Sequence, residues 1–582
     1  MSAAQPNGIP NDQTIDDRAP PVVGINFGPV AKAAQQDYAP DCIANEDGER
    51  QIATALSFYG EEVVRRDTST KDKNLRMPAR YTDVAHVKTA AAPVIDHQGE
   101  PSFNVQVLEP APAVPSLQPT PRGSHAATPL QSPPPELAEP TYTTKNLTVS
   151  AVATIVIQSL VNSAADFLGQ RIQGAVITVP THFSQEARQA LRKSAEAAGV
   201  HVLQLLDDAA AASLAYSSLE KPPSRDRTSL ILDLGASALD LTLLSIKQGL
   251  AHSLASSHTP DIGGDAIDDK LVAFFAKEFT KKTKVQLSPT STQAADLRAL
   301  TKLRLAVEHT KRTLSASPGA AACSVESLKD GLDFSGTINR LRFDVEMKGI
   351  YAAVADAVKQ LLESLNMDNT LLDEVILVGG TALLPGLTSQ LANILHDSTE
   401  IRSEIDPSQV LSRGAAVQAG VLASLSPNDP LLAAFEEDAT VLDAQVTTKA
   451  LGIYLPQEGS EDGSSEHYIQ VIAAETPLPA RRTVSFTTHL TEGNENGEVG
   501  LEVWEVKDTV KIEKTKLEVD PEDEEEEEPE EIETKERVVE KESFLGSLKL
   551  PVVGMRVGKK KKGPLEATIM VTFIVAPNRS VE

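Results

Sequence analysis

Apolar residues in this chain recur with two different periods, and the changes of period divide it. An apolar run opens at Val22. From Leu147 to about Leu425, apolar strands alternate with stretches whose apolar residues return every three or four positions, which predicts an α/β domain. From about Val446 the helical period disappears. Short runs such as Tyr468–Ala473, Thr483–Thr488 and Leu501–Val506 are separated by turn residues, which predicts a small all-β domain over 446–582.

The intervening stretches are polar or proline-rich. Residues 1–20 read as disordered. Prolines recur from Pro101 to Pro140, so a linker or surface insertion outside the core is expected at about 101–143. The acidic segment 426–445 reads as a linker between the main domain, 21–425, and the β tail. A second acidic stretch, 518–542, reads as a solvated loop between tail strands. Lys559 to Lys562 form a basic cluster on a turn, more simply solvated than bound to RNA.

Within the α/β domain one feature is repeated. The apolar run Val22–Ile25 turns at Asn26-Phe27-Gly28, and Leu230–Leu232 turns at Asp233-Leu234-Gly235. Compact residues follow each: Pro29, Val30 and Ala31, then Ala236, Ser237 and Ala238. Such a turn exposes backbone N–H groups that can cradle phosphate, although a single one means only a tight turn. Two of them predict a duplicated, two-lobed cleft. Three further features fit it. Gly263 and Gly264 feed a helical pattern, as at an anion-binding helix start. Glu308, Lys311, Arg312 and Ser315 share one helical face that can grip a ribose and a base. The buried-strand pattern Val375–Val378 ends in Gly379 and Gly380, where a flat ring can approach the backbone. Taken singly, these are a loop with its cap, an ordinary ion-paired face and a strand-to-loop turn.

Charge and cysteine content narrow the class. The net charge of −28 argues against a surface built for DNA. Cys42 and Cys323 form neither a CxxC pair nor a zinc spacing, which suits packed thiols in a reducing compartment. The N-terminus has no basic and apolar signal pattern, and no apolar run approaches membrane-span length, so a cytoplasmic protein without membrane contact is expected.

In their order along the chain these motifs resemble the nucleotide-binding domain of the seventy-kilodalton heat-shock chaperones. The resemblance is carried by Gly174–Phe183, Ile231–Thr242, Ile262–Asp268, Glu308–Ser315, Val375–Gly380 and Gly414–Ala419, within residues 22–60 and 147–425. It implies a two-lobed, actin-like ATPase fold followed by a substrate-binding-type β domain. It also implies that Glu308, Lys311, Arg312 and Ser315 hold adenosine, and that Gly379 and Gly380 pass under the base. Gly28, Gly235, Ser237, Gly263 and Gly264 would line the phosphates of ATP. Asp233 keeps the aspartate that faces magnesium, through water.

The departures from the family pattern lie at the reacting end. Where the family reads Asp-Leu-Gly-Thr-Thr, this chain has Asn26-Phe27-Gly28-Pro29-Val30, and Pro29 has no N–H to offer. Ala238 replaces a threonine, Asp208 a glutamate and Leu383 an arginine, and residues 61–91 do not resemble the family segment that carries its catalytic lysine. No catalytic residue is therefore assigned. Phosphoryl transfer depends on positioning, so ATP binding with weak or absent hydrolysis is expected. The β tail stops before the family's helical lid and leaves strand edges for a partner to cover. This combination resembles a family branch found in fungal ribosome-associated complexes. That implies a heterodimer with a zuotin-like J-protein through the β domain, indirect contact with the ribosome, and assistance to an active chaperone of the same family. The alternative is an active ATPase chaperone that binds clients itself.

Overall fold

The computed structural model describes residues 21–26, 30–32, 40–44, 50, 55–59, 62–65, 74–76, 94–97, 100–109, 141–219, 226–247, 250–426, 429, 432, 435, 445–456, 466–490, 498–516, 531–551 and 565–576. The chain divides into two compact units, Met1–Ala215 with Leu411–Asp438, and Tyr216–Val410 with Ala439–Glu582.

The first unit begins with β1 (Val22–Ile25), β2 (Val30–Lys32) and β3 (Asp41–Cys42), followed by β4 (Ala55–Tyr59), β5 (Glu62–Arg65) and β6 (Asn74–Arg76). Next come β7 (Val94–His97), β8 (Glu100–Glu109), β9 (Thr141–Thr148), α1 (Val149–Leu168), β10 (Gly174–Val179), α2 (Gln185–Ala197), β11 (Val202–Asp207) and α3 (Asp208–Ser217). Its main sheet runs β11-β10-β1-β2-β3, parallel across β11, β10 and β1 and antiparallel beyond. β1 and β10 are buried along their whole length, as strands covered on both faces must be. On one face the helix Val410–Ser424 lies so close that a Cβ on Gly24 would meet the backbone nitrogen of Ala416 at 2.2 Å. On Gly414 it would meet the carbonyl oxygen of Ala211 at 1.8 Å. Only glycine permits both approaches.

Two expectations change here. Residues 101–109, placed by their prolines in an insertion, form β8 and pair with β9, and Phe103 and Val105 are buried in the core. Proline fits because Pro101 stands near the start of β8, ahead of its first pairing with β9 at Ser102↔Thr148, and the rest of the run, 110–140, lies outside the described residues. Secondly, α1 is 20 residues long and apolar enough by composition to cross a membrane, which no uninterrupted apolar run had suggested. Its buried residues, among them Val149, Val152, Val156, Ile157 and Leu160, follow a helical stripe and belong to the same core.

The second unit contains β12 (Arg227–Leu234), β13 (Ala238–Lys247), β14 (Leu250–Pro260), α4 (Gly264–Thr283), α5 (Ala294–Ala316), β15 (Ala320–Lys329), β16 (Leu332–Asn339), α6 (Arg340–Ser364), β17 (Glu374–Val378), α7 (Pro385–Ala392) and β18 (Glu400–Arg402). Its sheet runs β14-β13-β12-β17-β18, with antiparallel pairing on one side of β12 and parallel pairing on the other. Strand for strand, this is the topology of the first unit's sheet, with β12 in the place of β1 and β17 in the place of β10. The repeated turn seen in the sequence is thus the trace of a repeated five-stranded sheet. Both cysteines are buried and outside any disulfide, and burial pushes the Cys323 thiol up to about 11.

The tail adds β19 (Ala450–Pro456), β20 (Glu466–Ile472), β21 (Ala480–Leu490), β22 (Glu498–Lys516), β23 (Glu531–Pro551) and β24 (Leu565–Val575). A four-stranded sheet, β20-β19-β22-β23, shares one apolar core with the β21-β24 ladder through Leu451, Ile453, Ile472, Leu501, Phe573 and Val575. Residues 531–542, expected within the acidic loop, are instead strand, paired from Lys516↔Glu531 onward. The register sets lysines against glutamates, with Lys507 opposite Glu540, Lys511 opposite Glu536 and Lys514 opposite Glu533. Opposed unlike charges favour such pairing, and an acidic run read without its partner strand conceals it. Residues 517–530 and 552–564, including the four-lysine cluster, lie outside the described residues.

Candidate nucleotide site

In the second unit three glycine turns converge at the ends of β12, β14 and β17. After β12 the chain turns so that the Gly235 N–H donates to the Ala238 carbonyl at 3.1 Å, which closes the hairpin into β13. The Gly263-Gly264 turn packs onto this loop. A Cβ on Gly263 would lie 2.6 Å from the Ala236 carbonyl oxygen, so no larger residue fits. The Gly264 and Asp265 N–H groups donate to the carbonyls of Gly235 and Ala236, at 3.1 and 2.7 Å. The first two amides of α4 are therefore already bonded within the protein, which narrows the expected anion site at this helix start.

The third turn follows β17. Gly379 has φ 88° and ψ 147°, a conformation open essentially to glycine alone. A Cβ there would sit 2.4 Å from the Leu234 carbonyl oxygen and 2.7 Å from Asp233 Oδ1. Gly380 has open space around its Cα. Thr381 joins two of the turns, its hydroxyl donating to the Gly235 carbonyl at 2.9 Å.

The helical face lies beside them. Lys311, on α5, places its ammonium 2.8 Å from Asp268 Oδ1 and 3.4 Å from Glu308 Oε2. The same ammonium would be 3.5 Å from a Cβ on Gly264, so the α5 face meets the glycine turns. Arg312 pairs with Glu308 at 3.2 Å while remaining largely exposed, and the Ser315 hydroxyl donates back to the Lys311 carbonyl at 3.1 Å. Glu308, Lys311, Arg312, Gly235, Gly263, Gly264, Gly379 and Gly380 are thus gathered in one place. Ser237 stands exposed on the β12–β13 loop, where its carbonyl accepts from the Asp261 N–H.

In the first unit, Asn26 follows β1 directly and Val30 begins β2, in register with Ile25. Gly28 and Pro29 lie outside the described residues. Asp208 opens α3, next to Asp207, which is ion-paired with Arg188.

Two acids emerge that the sequence reading passed over. Asp240 is the register partner of Asp233 across β12 and β13, and its carboxylate lies 2.7 Å from His258 Nδ1. Asp268 is the buried partner of Lys311. Strand alternation after Ala238 and helical spacing after Gly264 carried both signals. Neither can be read without knowing which strand and which helix face each other. Burial raises Asp233 to about 7, and the nearby Asp240 charge adds to this. Burial also raises Asp268 to about 6 against the opposing pull of Lys311.

A sequence profile of the Hsp70 protein family matches residues 134–537. The chain belongs to the Hsp70 family. It is 33% identical over 557 residues to a heat shock protein 70 homolog of Schizosaccharomyces pombe, covering 91% of this chain and 89% of that protein. It is 28% identical over 487 residues to the ribosome-associated complex subunit SSZ1 of Saccharomyces cerevisiae, covering 80% and 81%. It is also 28% identical over 481 residues to a ribosome-associated molecular chaperone of the same yeast, covering 80% and 69%.

Hsp70 proteins bind ATP with magnesium, and the residues of this chain fit such a ligand. The glycine turns allow close backbone approach, and two carboxylates, Asp233 and Asp240, are aligned across one hairpin, a donor set that suits a hard divalent cation. The Asp233 shift also has a consequence for the protein alone. The folded chain holds this proton up to about pH 7, whereas the unfolded chain releases it near 3.8. Folding therefore takes up a proton between these values, and stability falls as the pH rises through that window. Thermal melts of the Asp233→Asn variant from pH 4 to 7 should lack this part of the decline that the wild type shows. Identical slopes would refute the assignment.

Proposed function

We propose that this Hsp70 protein binds ATP but hydrolyses it weakly or not at all, and that it serves as the partner subunit of a J-protein at the ribosome. The observation that carries the reading is an asymmetry. The adenosine side in the second unit has its glycine turns, Lys311, Glu308 and Asp268 packed together. The first phosphate turn has Asn26, Pro29 and Val30 where hydroxyls, an acid and an N–H would serve the reaction.

On this reading Gly379 and Gly380 give the base its backbone approach. Lys311, positioned by Asp268, faces the sugar side together with Glu308, Arg312 and Ser315. Magnesium, when bound, supplies positive charge to the phosphates, and Asp233 would hold it through water. Pro29 withdraws a donor and Ala238 a hydroxyl, so the attacking water loses its positioning while ground-state binding persists.

The two yeast relatives named for ribosome association support a cytoplasmic place at the ribosome, where the chain would assist an active Hsp70 in folding nascent polypeptides. The β tail supports the partner. Among the described residues, β23 pairs only with β22, and Phe544 and Leu548 on it are about half exposed, at 53% and 51%. An unpaired edge beside apolar side chains is the arrangement that strand addition by a partner completes. Affinity capture from cytosolic extract tests this: a zuotin-like J-protein should be retained by the full chain and lost when residues 446–582 are removed. Equal retention without the tail would contradict the reading.

A further inference from the structure

A cavity of about 230 Å³ lies where the tail meets the end of the β13–β14 hairpin. Lys247 and Leu250 line it from the hairpin, and Pro477, Pro479, Arg481 and Arg482 from the tail. Three cations therefore face one small space, and among the described residues no acid lines it, in a chain whose net charge is −28. Like charges brought together at one point repel, so a grouping of this kind is stable chiefly when an anion neutralises it.

Arg482 carries the second observation. Its Nη2 is buried without a hydrogen-bond partner, and its Nη1 reaches only the Arg481 carbonyl, at 3.5 Å. An unbonded guanidinium nitrogen away from water is costly. Burial also lowers the Arg482 pKa, an effect that the nearby Asp226 only partly offsets. The two prolines have no N–H, so recognition falls to the side chains. Guanidinium forks match tetrahedral oxyanions bidentately. At ~30 Å³ per water the cavity holds about eight waters, which suits one phosphate group with residual solvent. It lies below the ~300–1,000 Å³ typical of sites that enclose larger organic ligands.

We propose that this pocket binds a single phosphate group and thereby fastens the tail to the hairpin. Because Lys247 belongs to the sheet and Arg481 and Arg482 to the tail, one dianion bridges both. Its occupation holds the tail in the arrangement seen here. The phosphate is either free inorganic phosphate or a phosphorylated side chain, and the two share the same recognition chemistry.

The test titrates the full-length protein by calorimetry at fixed ionic strength, with inorganic phosphate, a phosphoserine peptide and the unphosphorylated peptide. Wild type should bind inorganic phosphate. Arg482→Gln should weaken it about tenfold, the loss of one charge-assisted contact, and Lys247→Gln by several-fold. Arg482→Lys, which retains the charge, should bind between these limits, and its circular dichroism shows whether the tail remains folded. Tighter binding of the phosphopeptide than of free phosphate assigns the source to a modified side chain; equal binding assigns free phosphate. Absence of binding by wild type, or equal affinity in wild type, Arg482→Gln and Lys247→Gln, overturns the proposal.

Discussion

Replacing Glu374 with glutamine should lower the melting temperature of the protein by about 3 °C, corresponding to ~3–5 kcal/mol lost from a buried ionic network. Glu374 opens β17 with only 3% of its surface exposed. It accepts from Arg227 Nε at 2.7 Å, from the Ser229 hydroxyl, and from Arg402 Nη1 at 3.0 Å. Arg227 is on β12 and Arg402 on β18, so a single carboxylate ties the three parallel strands of the second unit's sheet. Arg402 also lies over the Tyr216 ring, 5.0 Å from its centroid. Glutamine keeps the shape but removes the charge and turns an amide donor toward a guanidinium, which only donates. Both guanidinium ions would then lose the buried carboxylate they share, although Arg402 keeps Glu404, 2.8 Å from its Nε. Breaking a buried pair costs far more than forming it yields, which sets the size of the expected loss. A melting temperature within about 1 °C of wild type would mean that the network carries little stability.

The second large effect is expected at Gly379. In Gly379→Ala the new Cβ must sit 2.4 Å from the Leu234 carbonyl oxygen, in a backbone conformation that costs a non-glycine residue ~1–3 kcal/mol. Relief requires the β17 turn to move off β12, away from Asp233 and the Gly235 loop. Nucleotide affinity should fall by at least about tenfold, with a loss of stability of ~2 kcal/mol or more. Gly380→Ala separates the two consequences. No atom lies within 4 Å of its new Cβ, so the melting temperature should hold. Its nucleotide affinity should nevertheless fall if a flat ring passes over that backbone. Fluorescent-nucleotide titrations and melts of both variants check this, and wild-type affinity in Gly379→Ala would remove these turns from the site.

The sequence made parts of this molecule legible for identifiable reasons. The repeated pattern of an apolar run closed by Asn26-Phe27-Gly28 or Asp233-Leu234-Gly235 was visible because the strands before it are buried, and it marked two sheets of the same topology. Lys311 and its neighbours were visible because helical spacing fixes a shared face. Asp240, Asp268 and Glu374 were not. Each acts through a residue distant in the chain: Asp240 opposite Asp233 across a hairpin, Asp268 beneath Lys311 across two helices, and Glu374 between two arginines across three strands. Strand β23 was concealed for a related reason. Its glutamates read as a solvated run until β22 supplies the lysines opposite them. The engaged amides of Gly264 and Asp265 were equally invisible, because a glycine pair before a helix does not reveal what its N–H groups already bond.

The proposal of a nucleotide site that grips but does not cut rests on Pro29, Val30, Asn26 and Ala238 occurring in the same chain as the residues proposed to hold adenosine. Single-turnover kinetics with excess purified protein and labelled ATP test it most directly, measuring bound and cleaved nucleotide in the same sample beside a hydrolytically active Hsp70. ATP should be retained by the protein and remain uncleaved, or be cleaved orders of magnitude more slowly than by the active protein. Cleavage at the active protein's rate would contradict the reading.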